Sequence, residues 1–296
     1  MRRGSVADVM LLATTLLWAL NFTVSKYILE HGLRPLAYSA VRYSAAGLVF
    51  LAITYPWERS LRIARRDLWL VGGMVAVLLL NQLSFVYALD LTTAATVALL
   101  FGTLPIFTAL ISRIVWIERL DIRFWIAACI SFAGVALVTA GSGKSLSGHL
   151  GGDLLAVLGS ATWAAYSVAI APLMQRYSPF RLSAVMLLAV SVPLLLLGSP
   201  QLGKEDFEWG ALVWIGFVFA VLGPLVLTNL MWFTAIDRVG PSRAALFANL
   251  QPFLAAVIAL LLLSEKLTRY QVAGGLAIGA GIVLSRVGKP PLGPAE

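Results

Sequence analysis

The chain has 296 residues, of which 60% are hydrophobic and 12% charged, with a formal net charge of +8. An ordinary soluble domain carries about 25% charged residues, so there is too little charge here to clothe a soluble body, and the apolar residues fall into long runs of membrane-spanning type. The excess of positive charge does not indicate nucleic acid, because the basic residues sit between the apolar runs, where they set topology.

Ten apolar segments follow in order: 7–29, 37–55, 68–89, 92–115, 122–140, 152–175, 181–198, 209–236, 241–263 and 269–287. Each is near the ~20 residues that a helix needs to cross ~30 Å of hydrocarbon. The first follows Met1-Arg2-Arg3. It has the length of a full span and leads into further spans, so it reads as a retained helix and not a signal peptide. The stretch from Gly141 to Gly152 is rich in Gly and Ser, and reads as a linker between halves. The expected organisation is a first five-helix repeat over 1–141, a linker loop over 142–151, a second repeat over 152–288 and a disordered tail over 289–296. The fold expected is an all-α membrane protein of ten transmembrane helices.

Orientation follows from Lys and Arg. With the N-terminus in the cytoplasm, fifteen basic residues fall on the inner side and five on the outer, while Lys26 and Arg42 lie within spans. That asymmetry satisfies the positive-inside rule and places both termini in the cytoplasm.

The halves repeat. Leu80–Leu137 aligns with Leu227–Leu284 without a gap. Tyr87-Ala88-Leu89-Asp90 meets Thr234-Ala235-Ile236-Asp237, Pro105 meets Pro252, Glu118-Arg119-Leu120 meets Glu265-Lys266-Leu267, and Gly134 meets Gly281. Earlier in each half, Trp18 meets Trp163. Five spans per half is an odd number, so the second half enters the membrane from the opposite side. Such inverted repeats are used by many secondary transporters for alternating access.

The first span carries Leu17-Trp18-Ala19-Leu20-Asn21-Phe22 with Lys26 after it, and the second carries Pro35, Arg42 and Ala45-Ala46. The last two spans of each half contribute Leu104-Pro105 with Glu118-Arg119-Leu120, and Gln251-Pro252 with Glu265-Lys266-Leu267-Thr268, then Gln271, Gly274 and Gly281. In these residues the chain resembles ten-span members of the drug/metabolite transporter superfamily, of the EamA exporter type, departing at Ala19 where the family usually has Gly. Within the superfamily it looks closest to bacterial exporters of aromatic amino acids. The resemblance implies a multi-pass protein of the bacterial inner (plasma) membrane.

Polar groups in hydrocarbon are costly, so those in mid-span should face the bundle interior. The candidate substrate-binding residues are Trp18, Asn21, Tyr38, Arg42, Asn81, Gln82, Tyr87, Trp163, Tyr166, Ser167, Asn229, Trp232 and Asn249. Gln82 and Asn229 are repeat mates. Such amides also serve as glue between helices, but the paired set favours a cavity. Trp57, Trp69, Trp125 and Trp209 fall near span ends and fit an interfacial belt. Pro105 and Pro252 each remove a backbone hydrogen bond at matched depths, as gating kinks or as packing kinks. Arg42 offers a planar fork for a substrate carboxylate; its alternatives are a partner for loop carbonyls, or snorkelling. Gly275 and Gly279 are read as a packing face.

One cysteine, Cys129, excludes an intramolecular disulfide, and the histidines His31 and His149 fall in predicted loops, so neither a metal cluster nor a Cys/His nucleophile is expected. No cofactor is expected. The partners expected are a small-molecule substrate and the lipid bilayer, in a monomer or weak dimer. No carboxylate lies near a span centre, which argues against proton coupling. The expected function is export of aromatic or other neutral, amphipathic amino acids, or related metabolites, by alternating access. The alternatives are export of drugs or other metabolites, and a passive channel or facilitator. An intramembrane enzyme ranks last, since neither HExxH nor GxSxG occurs.

Overall fold

The computed structural model of the chain describes residues 3–115, 117–118, 120–141, 149–263 and 268–286. Arg119, linker residues 142–148, Glu265-Lys266-Leu267 and the expected tail 289–296 lie outside the described residues. All the regular structure described is helical: α1 Arg3–His31, α2 Pro35–Glu58, α3 Arg65–Leu91, α4 Ala94–Phe101, α5 Leu104–Ile114, α6 Ile122–Gly141 and α7 Leu150–Met174. There follow α8 Pro179–Leu202, α9 Ala211–Val221, a π-helical segment Leu222–Leu227, α10 Thr228–Val239, α11 Pro241–Ala248, α12 Gln251–Leu263 and α13 Arg269–Arg286.

Among the described residues, eight candidate spans are long and apolar enough to cross a membrane, from Val6–His31 to Ala211–Val239. Helices α11, α12 and α13 follow them. Local chemistry sets the helix starts. Ser178 caps α8 by accepting from the Arg181 amide, with Pro179 at the first helical position. His149 caps α7 through Nδ1, so α7 begins at Leu150, inside the expected linker. The span containing Pro105 breaks at Gly102-Thr103, and the one containing Pro252 breaks at Asn249-Leu250; each proline stands at the second residue of the helix that resumes.

The helix pairs reproduce the sequence repeat. Helix α6 packs along α13 and α2 along α8, each pair joining the same span of the two halves. Helix α3 packs on α7 and α1 on α10, a pattern that an exchange of halves converts into itself. The α6–α13 contact is paired residue by residue. A Cβ on Gly134 would meet the Gly274 carbonyl at 2.7 Å, and one on Gly281 would meet the Ala127 carbonyl at 2.7 Å. Gly134 aligns with Gly281 and Ala127 with Gly274. The face read from Gly275 and Gly279 is not the one used here: Gly275 lies under the Phe253 ring and Gly279 has nothing within 4 Å. A spacing of four residues marks a small-residue stripe without saying which stripe meets a neighbour.

At the end of the bundle where α1 begins, polar links tie the halves together. Glu58 pairs with Arg181 at 2.8 Å, and Asp67 accepts from Arg176 at 2.5 Å and from Tyr177 at 2.7 Å. Glu118 accepts from the backbone and hydroxyl of Ser242. Trp57 and Trp69 are exposed near this end, where an interfacial belt would have them.

Candidate functional site: a central cavity between the repeats

Helix α1 brings an indole, an amide and a phenyl ring to one level of the bundle, as Trp18, Asn21 and Phe22. They line a cavity of ≈ 80 Å³, together with Arg42, Tyr43, Asn81, Gln82, Phe85, Phe101, Leu104, Trp163, Pro224, Leu225 and Gln251. The lining thus draws on both halves.

One side of the cavity is an indole cluster. Trp18 stands edge-on to Trp163 at 5.5 Å and tilted to Trp232 at 4.8 Å, while Tyr166 stacks on Trp163 at 5.4 Å. Buried indole N–H groups need acceptors. Trp18 Nε1 donates to Thr228 Oγ1 at 3.1 Å, and Trp232 Nε1 donates to Ser167 Oγ at 3.1 Å. A second aromatic group also lines the cavity, with Phe22 5.8 Å from both Phe85 and Phe101.

Between these rings stand the polar groups. Asn81 Nδ2 donates to the Gly159 carbonyl at 2.7 Å and ties α3 to α7. Gln82 Nε2 donates to Ser39 Oγ at 2.9 Å. Arg42 is 3% exposed. Its Nε donates to the Ala220 carbonyl at 3.0 Å and its Nη2 to Asn21 Oδ1 at 3.2 Å. Proline at position 224 has no N–H, so the Ala220 carbonyl, four residues earlier, lacks its α-helical donor. The π segment at this point and the arginine contact are two consequences of the same proline. Asn21 Oδ1 also accepts from Ser25 Oγ, which bonds Tyr38 Oη at 2.7 Å.

Six of the residues singled out in the sequence line the cavity: Trp18, Asn21, Arg42, Asn81, Gln82 and Trp163. The others stand outside the lining. Tyr38 and Tyr166 support it from behind, Ser167 and Trp232 bond each other beneath the indoles, and Tyr87 packs on the core. Asn229 turns back to the Leu225 carbonyl of its own chain segment, and Asn249 donates to Ser131 Oγ on α6 at 2.9 Å. Those amides bond backbone or a neighbouring helix, as helix glue does. Pro105 and Pro252 mark the helix breaks and do not line the cavity. Phe22, Tyr43, Phe85, Phe101, Leu104, Pro224, Leu225 and Gln251 were not among the candidates. The rings carry no sequence signal that separates cavity from lipid. Gln251 did carry one, as an amide in mid-span beside Pro252, with its repeat mate Leu104 on the same lining. Among the described residues, no group of His, Cys, Asp and Glu has the makings of a metal site.

Residues 5–140 and 150–287 each match the EamA-like transporter family. The chain belongs to the EamA-like transporter family. Its two matched segments are the two repeats, so the two-repeat EamA architecture holds for the chain. It is 27% identical to the uncharacterized transporter YyaM of Bacillus subtilis (strain 168), over 93% of this chain and 92% of that one. It is 27% identical to the uncharacterized inner membrane transporter YedA of Escherichia coli (strain K12), over 94% of this chain and 90% of that one. A solved crystal structure superposes with a TM-score of 0.79 at 18% identity, covering 96% of this chain and 98% of the other, which establishes a shared fold. This EamA-family chain is therefore a multi-pass membrane transporter.

Proposed function

We propose that this transporter exports small amphipathic metabolites, aromatic or other neutral amino acids foremost, by alternating access across the bacterial inner membrane. The observation that carries the reading is the cavity where the repeats meet, with indoles on one side, phenyl rings on another and a few placed amides between. Sites for small solutes are largely apolar with a few polar groups that fix orientation. A single lining arginine suits one carboxylate better than a phosphate, which calls for several cations.

In this reading the protein has ten spans in two inverted five-helix repeats, over 1–141 and 152–288, and works without a cofactor as a monomer or weak dimer. The positive-inside asymmetry puts the end where α1 begins, with both termini, in the cytoplasm. The links Glu58–Arg181 and Asp67–Arg176 then close the cytoplasmic side between the halves. The helix breaks ahead of Pro105 and Pro252 are the bends about which the halves open.

The test is flux of a labelled metabolite panel in proteoliposomes, with and without a pH gradient. Saturable flux of amino acids with counterflow supports the reading. Unsaturable flux or single-channel current turns it into a channel, and no flux of any amino acid removes the substrate class.

A further inference from the structure

Two polar groups in the cavity have demands that the described residues meet only in part. The first is the charge on Arg42. An ion taken out of water needs a counter-ion or several good dipoles. The guanidinium is 3% exposed, and no described carboxylate lies within ion-pair distance of it. Its two protein acceptors, the Ala220 carbonyl and Asn21 Oδ1, are neutral and take two of its five N–H groups. They fix the fork in place, and the Tyr38 ring lies 5.4 Å from the guanidinium carbon, but a ring face offsets only part of a buried charge and no described counter-ion completes it. The second is Gln251 Oε1, which is buried without a hydrogen-bond partner on a residue that is 4% exposed. A buried acceptor left unmade costs free energy that a donor would recover. Both residues line the same cavity.

We infer that Arg42 and Gln251 are the two polar subsites for a solute that carries both a carboxylate and an N–H donor, of which an α-amino acid is the simplest kind. The solute's carboxylate pairs with the Arg42 guanidinium, and its N–H donates to Gln251 Oε1. The apolar body lies against Trp18 and Trp163. This assignment rests on the transport reading above and narrows it. It also explains an asymmetry between the repeats: the positions aligned with Arg42 and Gln251 are Leu187 and Leu104, so each half contributes one polar subsite and its mate contributes none.

Equilibrium binding to the purified full-length protein in detergent, followed by tryptophan fluorescence and calorimetry, tests it with three probes: L-phenylalanine, phenethylamine, which lacks the carboxylate, and 3-phenylpropionate, which lacks the amine. Wild type is expected to bind L-phenylalanine most tightly. Arg42→Gln should weaken L-phenylalanine and 3-phenylpropionate by about tenfold or more, the scale of a lost hydrogen bond to a charged group, and leave phenethylamine unchanged or tighter. Gln251→Leu should weaken L-phenylalanine and spare 3-phenylpropionate. Arg42→Lys, which keeps the charge without the fork, should fall between. Carboxylate affinity within twofold of wild type in Arg42→Gln overturns the proposal. So does a wild-type protein that binds phenethylamine as well as it binds L-phenylalanine, a result that needs no variant to fold. Saturable flux of carboxylate-free amphiphiles, with no carboxylate bound, would sink this inference and leave the exporter standing; proteoliposomes that carry no solute at all would sink the exporter.

Discussion

Trp163→Ala removes the indole that both lines the cavity and joins the ring cluster beneath it. Trp163 contacts Trp18 at 5.5 Å, Tyr166 at 5.4 Å and Trp232 at 6.4 Å between centroids. Aromatic pairs of this kind contribute about 0.5–1.5 kcal/mol each beyond buried area, so three of them sum to roughly 1.5–4.5 kcal/mol of folding stability. A bound aromatic solute loses one pair, again about 0.5–1.5 kcal/mol. Since about 1.4 kcal/mol is tenfold in an equilibrium constant, the half-saturating concentration of such a solute should rise roughly two- to thirteen-fold. The assay is concentration-dependent flux in proteoliposomes at matched protein content, with the melting temperature measured in parallel. Trp163→Phe should recover most of both losses, because a phenyl ring keeps the stack and drops only the larger area. An alanine variant that remains folded and shows unchanged half-saturation for every transported aromatic solute would refute the placement of the solute against this ring.

Three further outcomes follow from the geometry. Gly134→Val drives a branched side chain into the Gly274 carbonyl, so stability should fall as for an overpacked core, by about 1–3 kcal/mol or more, read as a lower melting temperature, whereas Gly279→Ala should be neutral or mildly stabilising; equal thermal shifts in the two would contradict the crossing. Asp67→Asn leaves Arg176 without its charge partner and weakens the Tyr177 bond, which should cost about 2 kcal/mol, reduced by solvent at the partly exposed arginine; an unchanged thermal unfolding curve would contradict it. Glu118 is 4% exposed and burial raises its carboxyl above the ordinary range, with the two Ser242 bonds and the Arg243 charge opposing. The folded state then holds a proton that the unfolded state has released, so this group's contribution to stability falls as pH rises from about 4.3 toward the raised value. Glu118→Gln should flatten that part of the melting-temperature profile, and parallel profiles for variant and wild type would exclude the effect.

Much of the architecture was legible because hydrocarbon imposes a length rule that acts on each segment alone. Apolar runs of about twenty residues became helices, and the breaks at Pro105 and Pro252 appeared where a missing N–H demands them. The repeat was legible for a related reason, since two copies of one fold keep their small residues and prolines in register. Within the site, mid-span polarity pointed to Asn21, Asn81 and Gln82, which line the cavity, because an amide in lipid must find partners inside the bundle. The same rule marked Asn229 and Asn249, whose partners turned out to be a carbonyl of their own segment and a serine of α6. A sequence records that an amide needs a partner and not which partner it finds.

Arg42 divides the two kinds of information most clearly. Its residue type and depth, read from the chain, established a cation inside a span, and so a group with a strong demand for dipoles or a counter-ion. Whether that demand is met lay with tertiary structure. The carbonyl that holds its Nε belongs to Ala220, on another helix of the opposite repeat, and is free because Pro224 follows it by one turn. The charge faces a cavity, and no described carboxylate was brought to it. Helix formation is a local matter of backbone satisfaction in lipid, and the chain encodes it locally. The balance of a buried charge depends on every group within a few ångströms, and only packing decides which groups those are.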